Sequence, residues 1–293
     1  MRRGLAILCL LAVAVAAAGW LLSAPKQVSA DRFSDLTGDA AMGEAIFYQS
    51  GCASCHRAEG ASDVGPPVLA GGKAFPSPFG TFYAPNISPS DAGIADWSIV
   101  DLANSLRHGT SPEGQHYYPA FPYGSYAGIG DQEIADLAAY LAALPADATP
   151  SRAHDVGFPF NIRRGLGLWK RAFLRQGPYL PDDGLSSAAR QGRALVEGRG
   201  HCGECHTPRG LFGNLDYGKW LHGAPNPTGP GRIPALAGIQ WSAADIAAYL
   251  QSGFTPEFDT AGGEMVEVIK NTARLSDEDR SAIAAYIKAL PMP

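Results

Sequence analysis

At 293 residues, 46% hydrophobic and 17% charged, the chain has the composition of ordinary globular cores and room for two small domains, which excludes disorder. The formal net charge is −5, and beyond residue 30 there are 20 basic against 28 acidic side chains, so nucleic acid is excluded as a natural partner. The 35 glycines and 23 prolines are many for a helical bundle, so the compact elements must be separated by much irregular chain.

Residues 1–30 read as a signal or membrane anchor: Arg2 and Arg3 form a positive start, and an uncharged run rich in Ala, Leu and Val follows from Gly4 to Leu22. The run is near the length that spans a bilayer, which favours an uncleaved anchor, while Val28, Ser29 and Ala30 offer small residues for cleavage before Asp31. Cys9 lies within this run after Leu8 and reads as a membrane-buried cysteine rather than a lipidation site.

A first domain, residues 37–146, opens with a helix leading into Cys52-Ala53-Ser54-Cys55-His56. A Gly/Pro-rich loop follows, then a helix opening at Trp97-Ser98 with Ser98 as N-cap, and an irregular stretch holding His108, His116 and several tyrosines. The domain closes with a helix whose Ile134, Leu137, Leu141 and Leu144 recur at three and four residues and give one buried face. Residues 147–185 form a linker rich in Pro, Gly and Arg. In it Ile162, Leu166, Trp169 and Phe173 share a helical face, and Arg163, Arg164, Lys170, Arg171 and Arg175 supply positive charge. Two readings stand for it: a strap whose basic side chains pair with acids or prosthetic-group carboxylates, and a helix lying on a membrane surface or partner. Gly165 and Gly167 weaken a helix there.

A second domain, residues 186–293, repeats the first. Trp97-Ser98, Asp101, Ala103, Leu106, Gly109, Pro112 and Glu113 recur 144 positions later as Trp241-Ser242, Asp245, Ala247, Leu250, Gly253, Pro256 and Glu257. The last helix, begun at Ser276 with Asp279 as a capping-box-like pair, repeats the end of the first domain. Its attachment motif is Cys202-Gly203-Glu204-Cys205-His206.

In Cys-x-x-Cys-His the two thiols are spaced to form thioethers with both vinyl groups of one haem, and the histidine then lies under the iron. Cys52, Cys55, Cys202 and Cys205 are therefore expected to bind two covalent haems c, with His56 and His206 as iron ligands; zinc would need two ligand pairs per site. A methionine sixth ligand closes an iron and raises its potential, whereas an open position admits small molecules. Met265, between the Trp-Ser helix and the last helix, is the candidate for the second haem, and Met42 is too close to the first motif to reach its far side. The repeat offset carries Met265 back onto Phe121, which cannot ligate iron. The first haem is left with His116, His108, a nearby tyrosine, or an open position.

The runs 78–89 (PFGTFYAPNISP), 118–123 (YPAFPY), 200–209 (GHCGECHTPR) and 275–279 (LSDED), together with Trp97-Ser98, resemble the cytochrome c subunits of bacterial membrane-bound quinoprotein alcohol dehydrogenases and similar dihaem cytochromes. The resemblance covers nearly all the chain after the anchor. It implies electron transfer from a catalytic partner to quinone or another carrier on the periplasmic side of the bacterial inner membrane, the chain being anchored there or secreted. Two departures limit it: such subunits usually carry three haem motifs, and their first domain usually has Met where this chain has Phe121, or a little later, where it has Ile129. By resemblance and polarity, Asn86 and Arg209 are candidates to bond haem propionates.

The expected fold is all-α: two class I cytochrome c domains in tandem, joined by an irregular linker behind an N-terminal transmembrane or signal helix. The expected function is periplasmic electron transfer between a dehydrogenase or quinol donor and a respiratory acceptor such as another cytochrome or an oxidase, rather than catalysis. The alternative is a haem enzyme acting on peroxide, a sulfur oxyanion or a gas at an open first haem, with His116 or His108 as its acid or base.

Overall fold

The computed structural model describes every residue except Met1, Asp63, Thr228 and Pro293. Helix α1 (Arg2–Leu22) is a single apolar helix, long enough to cross a bilayer and with no residue buried against the rest of the chain.

In the first half, α2 (Ala40–Gln49) begins at Asp39, whose carboxylate accepts from the N–H groups of Ala41 and Met42. Gly51, at φ +61°, turns the chain into α3 (Cys52–His56), the attachment segment. A two-stranded antiparallel ribbon, β1 (Ala74–Ser77) and β2 (Gly80–Tyr83), follows. Helix α4 (Ile99–His108) starts with a reciprocal capping box between Ser98 and Asp101 and stops at Gly109 in the left-handed region. After an isolated bridge between Thr110 and His116 come α5 (Tyr123–Tyr126) and α6 (Asp131–Ala142).

The linker carries α7 (Leu166–Phe173) despite its glycines. Gly165 only precedes the helix, and Gly167 is needed: a Cβ there would stand 2.3 Å from the Ser23 carbonyl oxygen at the end of α1. The second half repeats the order with α8 (Ser187–Arg193), α9 (Gly203–His206), a ribbon of β3 (Ala224–Pro225) and β4 (Arg232–Ile233), α10 (Ala243–Ser252), α11 (Met265–Thr272) and α12 (Asp277–Ala289). Ser242 and Asp245 rebuild the capping box, and the bridge between Phe254 and Thr260 stands 144 positions after its counterpart. The architecture is therefore largely helical rather than all-α. The two ribbons form where the Gly/Pro-rich loops fold back on themselves, a pairing that hydrophobic periodicity does not announce.

Each half has its own core. In the first, Phe47, Leu69, Ile134 and Leu137 are among the most deeply buried apolar side chains; in the second, Leu195, Val196, Leu221 and Tyr286 are. Both are built on a helix crossing that only glycine permits: a Cβ on Gly43 of α2 would lie 2.0 Å from the carbonyl oxygen of Asp136 in α6, and one on Gly192 of α8 would lie 1.8 Å from that of Ala282 in α12. Gly43 precedes Cys52 by nine residues and Gly192 precedes Cys202 by ten. The extra residue falls in the stretch Ala194–Arg199, where the chain leaves helical geometry and kinks at Gly198 (φ −98°, ψ −116°) before the second motif.

Candidate functional site

The two attachment segments are built alike. Each is a short helical turn that puts both cysteines and the histidine within one revolution. His56 Nδ1 donates to the Pro85 carbonyl at 2.8 Å, and His206 Nδ1 donates to the Pro234 carbonyl at 2.8 Å. Such a bond fixes ring orientation and tautomer, leaving Nε2 as the lone-pair nitrogen, the arrangement an iron-ligating imidazole requires. Burial holds both histidines below the ordinary imidazole range, with the proline carbonyl opposing it, so both rings are neutral donors.

The thiols are not those of a redox dithiol. Burial pushes Cys52 and Cys202 up to about 12 and Cys55 up to about 11, whereas a reactive Cys-x-x-Cys pair has a depressed thiol pKa. All four are free of disulfides. Among the described residues, no group of three or more His, Cys, Asp or Glu side chains stands in metal-ligand geometry. A covalently attached haem fits this donor set.

The residues that flank the two motifs meet. His201, next to Cys202, faces the Ser50 carbonyl with Nε2 at 3.3 Å and meets the Tyr126 ring edge-on, while Tyr126 Oη donates to the same Ser50 carbonyl. Asn271 Nδ2 donates to Ser54 Oγ at 2.8 Å, and Lys73 bonds both the Ser54 carbonyl and the carboxylate of Glu264. Arg199 pairs with Glu133, and Gln49 donates to Asp279, so polar contacts surround the junction.

The sequence candidates for the sixth ligands fall in different surroundings. Met265 begins α11 and packs, partly buried, against the second core. Phe121, its counterpart, packs against the first core and meets Tyr117, Tyr123 and Tyr126 ring to ring. His116 is buried and occupies the hairpin position that Thr260 has in the second half, with its Nε2 2.8 Å from the Ser23 carbonyl. His108 ends α4, where Lys170 Nζ bonds its carbonyl oxygen and that of Gly109.

Three groups of polar sequence candidates find partners within the chain. Asn86 is buried and fully engaged: its Nδ2 donates to the carbonyls of Asp147 and Thr149, and its Oδ1 accepts from the Ser88 N–H, which clamps the loop carrying Pro85. That leaves it nothing to offer a propionate. Arg209 is held by Glu204 and the Gly213 carbonyl. The linker cations pair with main-chain carbonyls rather than acids: Arg164 bonds Trp20 O and Ser23 Oγ and stacks on the Trp20 ring, and Arg171 bonds Leu22 O. The roles of Pro85 and Pro234 carry no sequence signal, since any residue could present the carbonyl.

A family model described as Cytochrome c matches residues 40–145 and 189–291. A diheme cytochrome c-type protein of Cereibacter sphaeroides is 51% identical over 99% of this chain and 99% of its own length. The fructose dehydrogenase cytochrome subunit of Gluconobacter japonicus is 36% identical over 85% of this chain and 52% of its own. The alcohol dehydrogenase (quinone) cytochrome c subunit of Gluconobacter oxydans is 34% identical over 85% and 54% respectively. The chain thus spans nearly all of the first relative and about half of the other two.

Proposed function

The chain belongs to the cytochrome c family and carries two covalently bound haems c, and on that premise we propose that it passes single electrons between a dehydrogenase or quinol donor and a respiratory acceptor on the periplasmic side of the bacterial inner membrane. Its dehydrogenase-subunit relatives support a dehydrogenase as donor. In this reading two class I cytochrome c domains stand in tandem, Cys52 and Cys55 hold one haem, and Cys202 and Cys205 hold the other. When bound, the haems supply reversible one-electron chemistry at iron. His56 and His206 would hold the two irons, and Met265 would offer its thioether to the second. His116 would have to give up Ser23 to reach the first iron, so that haem is assigned an open or weakly filled sixth position beside Phe121.

The observation that carries the proposal is that the two halves meet beside the attachment segments: His201, just before the second motif, faces the Ser50 carbonyl just before the first, and Asn271 of α11 bonds Ser54 within the first. A carrier needs such continuity between its two redox centres; a catalyst with a separate relay needs a substrate site as well.

The same reading keeps α1 attached as a membrane tether. Ser23 is buried, Thr110 Oγ1 donates to the Lys26 carbonyl, and the Val28 N–H donates to Asn104 Oδ1. Cleavage after Ala30 would remove all three from the first domain.

Spectroelectrochemical titration of the purified full-length protein tests the function. The expected result is two reversible one-electron steps per chain, with no catalytic turnover of peroxide or sulfur oxyanions. Turnover of either compound would overturn the carrier in favour of an enzyme.

A further inference from the structure

Beside the end of α1 the structure gathers exposed apolar side chains and uncompensated positive charge on one face. Phe158 is 81% exposed and Leu211 87%, and Phe160, Ile162, Leu168 and Phe212 are also exposed. They form one continuous surface: Phe160 meets Phe79 edge-on, Phe79 lies under Gly213, Trp169 Nε1 donates to the Phe212 carbonyl, and Phe212 stacks on Phe173 of α7. Through Gly167 and Arg164, α7 is joined to Ser23 and Trp20 at the end of the anchor. Residues 151–175 hold six Lys or Arg against a single acid, Asp155, in a chain that is acidic as a whole. Among the described residues no carboxylate pairs with Arg163, Arg164 or Arg171.

We infer that this face is a membrane seat: the Phe158, Phe160, Leu168, Leu211 and Phe212 side chains enter the headgroup region of an anionic bilayer, and the linker arginines lie against lipid phosphates. Aromatic rings and cations at the level where a spanning helix emerges are what an interface accommodates, and basic groups are drawn to an anionic surface. A protein partner would explain the exposed rings but not their continuity with Trp20 and the last turn of the tether. The inference rests on α1 being retained. Its consequence is a fixed orientation: the linker faces lipid, and the two domains cannot swing freely on the anchor.

The test is hydroxyl-radical footprinting of the full-length holoprotein in nanodiscs of phosphatidylcholine containing phosphatidylglycerol. Phe258, 94% exposed in the second half, serves as internal reference. Oxidation of Phe158, Phe160, Leu211 and Phe212 should fall several-fold relative to Phe258. The double substitution Phe158→Glu with Leu211→Glu alters two exposed side chains and should return the remaining patch residues to reference reactivity, with α1 still protected. A patch that reacts as freely as Phe258 while α1 is protected would overturn the seat, leave the tether standing and give the surface to a protein partner. Free oxidation of α1 itself would overturn the tether.

Discussion

His56 and His206 are held by the same device, an Nδ1–H bond to a proline carbonyl, yet their haems are expected to differ because of one residue further along: Met265 in the second half and Phe121 in the first. Met265→Ala should therefore open the second iron. The reduced protein would gain a second carbon monoxide adduct, and the upper reduction potential would fall, since a thioether ligand raises it. The converse substitution, Phe121→Met, brings sulfur to the matching place and should abolish carbon monoxide binding at the first haem, leaving one low-spin signal per iron in the electron paramagnetic resonance spectrum. The attachment residues were legible in the sequence because covalent chemistry fixes their spacing, and Ser98 and Ser242 were legible as caps because the cap needs a short polar side chain. Asn86 was misread for a physical reason: a polar residue in a loop looks surface-bound until the carbonyls around it are known.

Among the elements, the paired helix crossings set how closely each core can close. Gly192→Ala would drive a methyl group into the Ala282 carbonyl, and overpacking of this kind costs about 1–3 kcal/mol; thermal unfolding should show a lowered midpoint, with Gly43→Ala acting the same way in the first half. The repeat made the closing helices visible in the sequence. The kink at Gly198 ahead of the second motif was not visible, because the repeat aligns the helices that follow the motifs and not the approach to them. The linker helix was obscured by Gly165 and Gly167, and only the approach of Ser23 shows why Gly167 belongs there. Beside it, His154 ties the linker to the first ribbon by accepting the Tyr83 N–H at Nδ1, and burial, then the charge of Arg163, lowers its pKa. Below about pH 6.5 the unfolded chain takes up a proton that the folded ring resists, so this contribution is present at neutral pH and is lost on acidification. Thermal unfolding at falling pH should show a declining midpoint, and His154→Gln, which keeps an acceptor but does not titrate, should flatten the decline.

For the molecule as a whole, the repeat predicted two similar halves but said nothing of how they meet, since the contacts of Ser50 with His201 and of Ser54 with Asn271 join positions that have no sequence relation. On the proposed reading, that meeting makes the chain one redox unit rather than two cytochromes on a string. It also fixes the lever for disrupting it: Asn271→Ala removes the bond to Ser54 and leaves all four cysteines and both histidines in place. The most direct measurement is flash photoreduction of the full-length oxidised protein, following the two haem absorbances as a single electron redistributes. The electron should settle on the second haem within the molecule, at a rate independent of protein concentration and slowed in Asn271→Ala. Two haems that stay reduced in their initial proportions, or that equilibrate only by collision between molecules, would contradict the account.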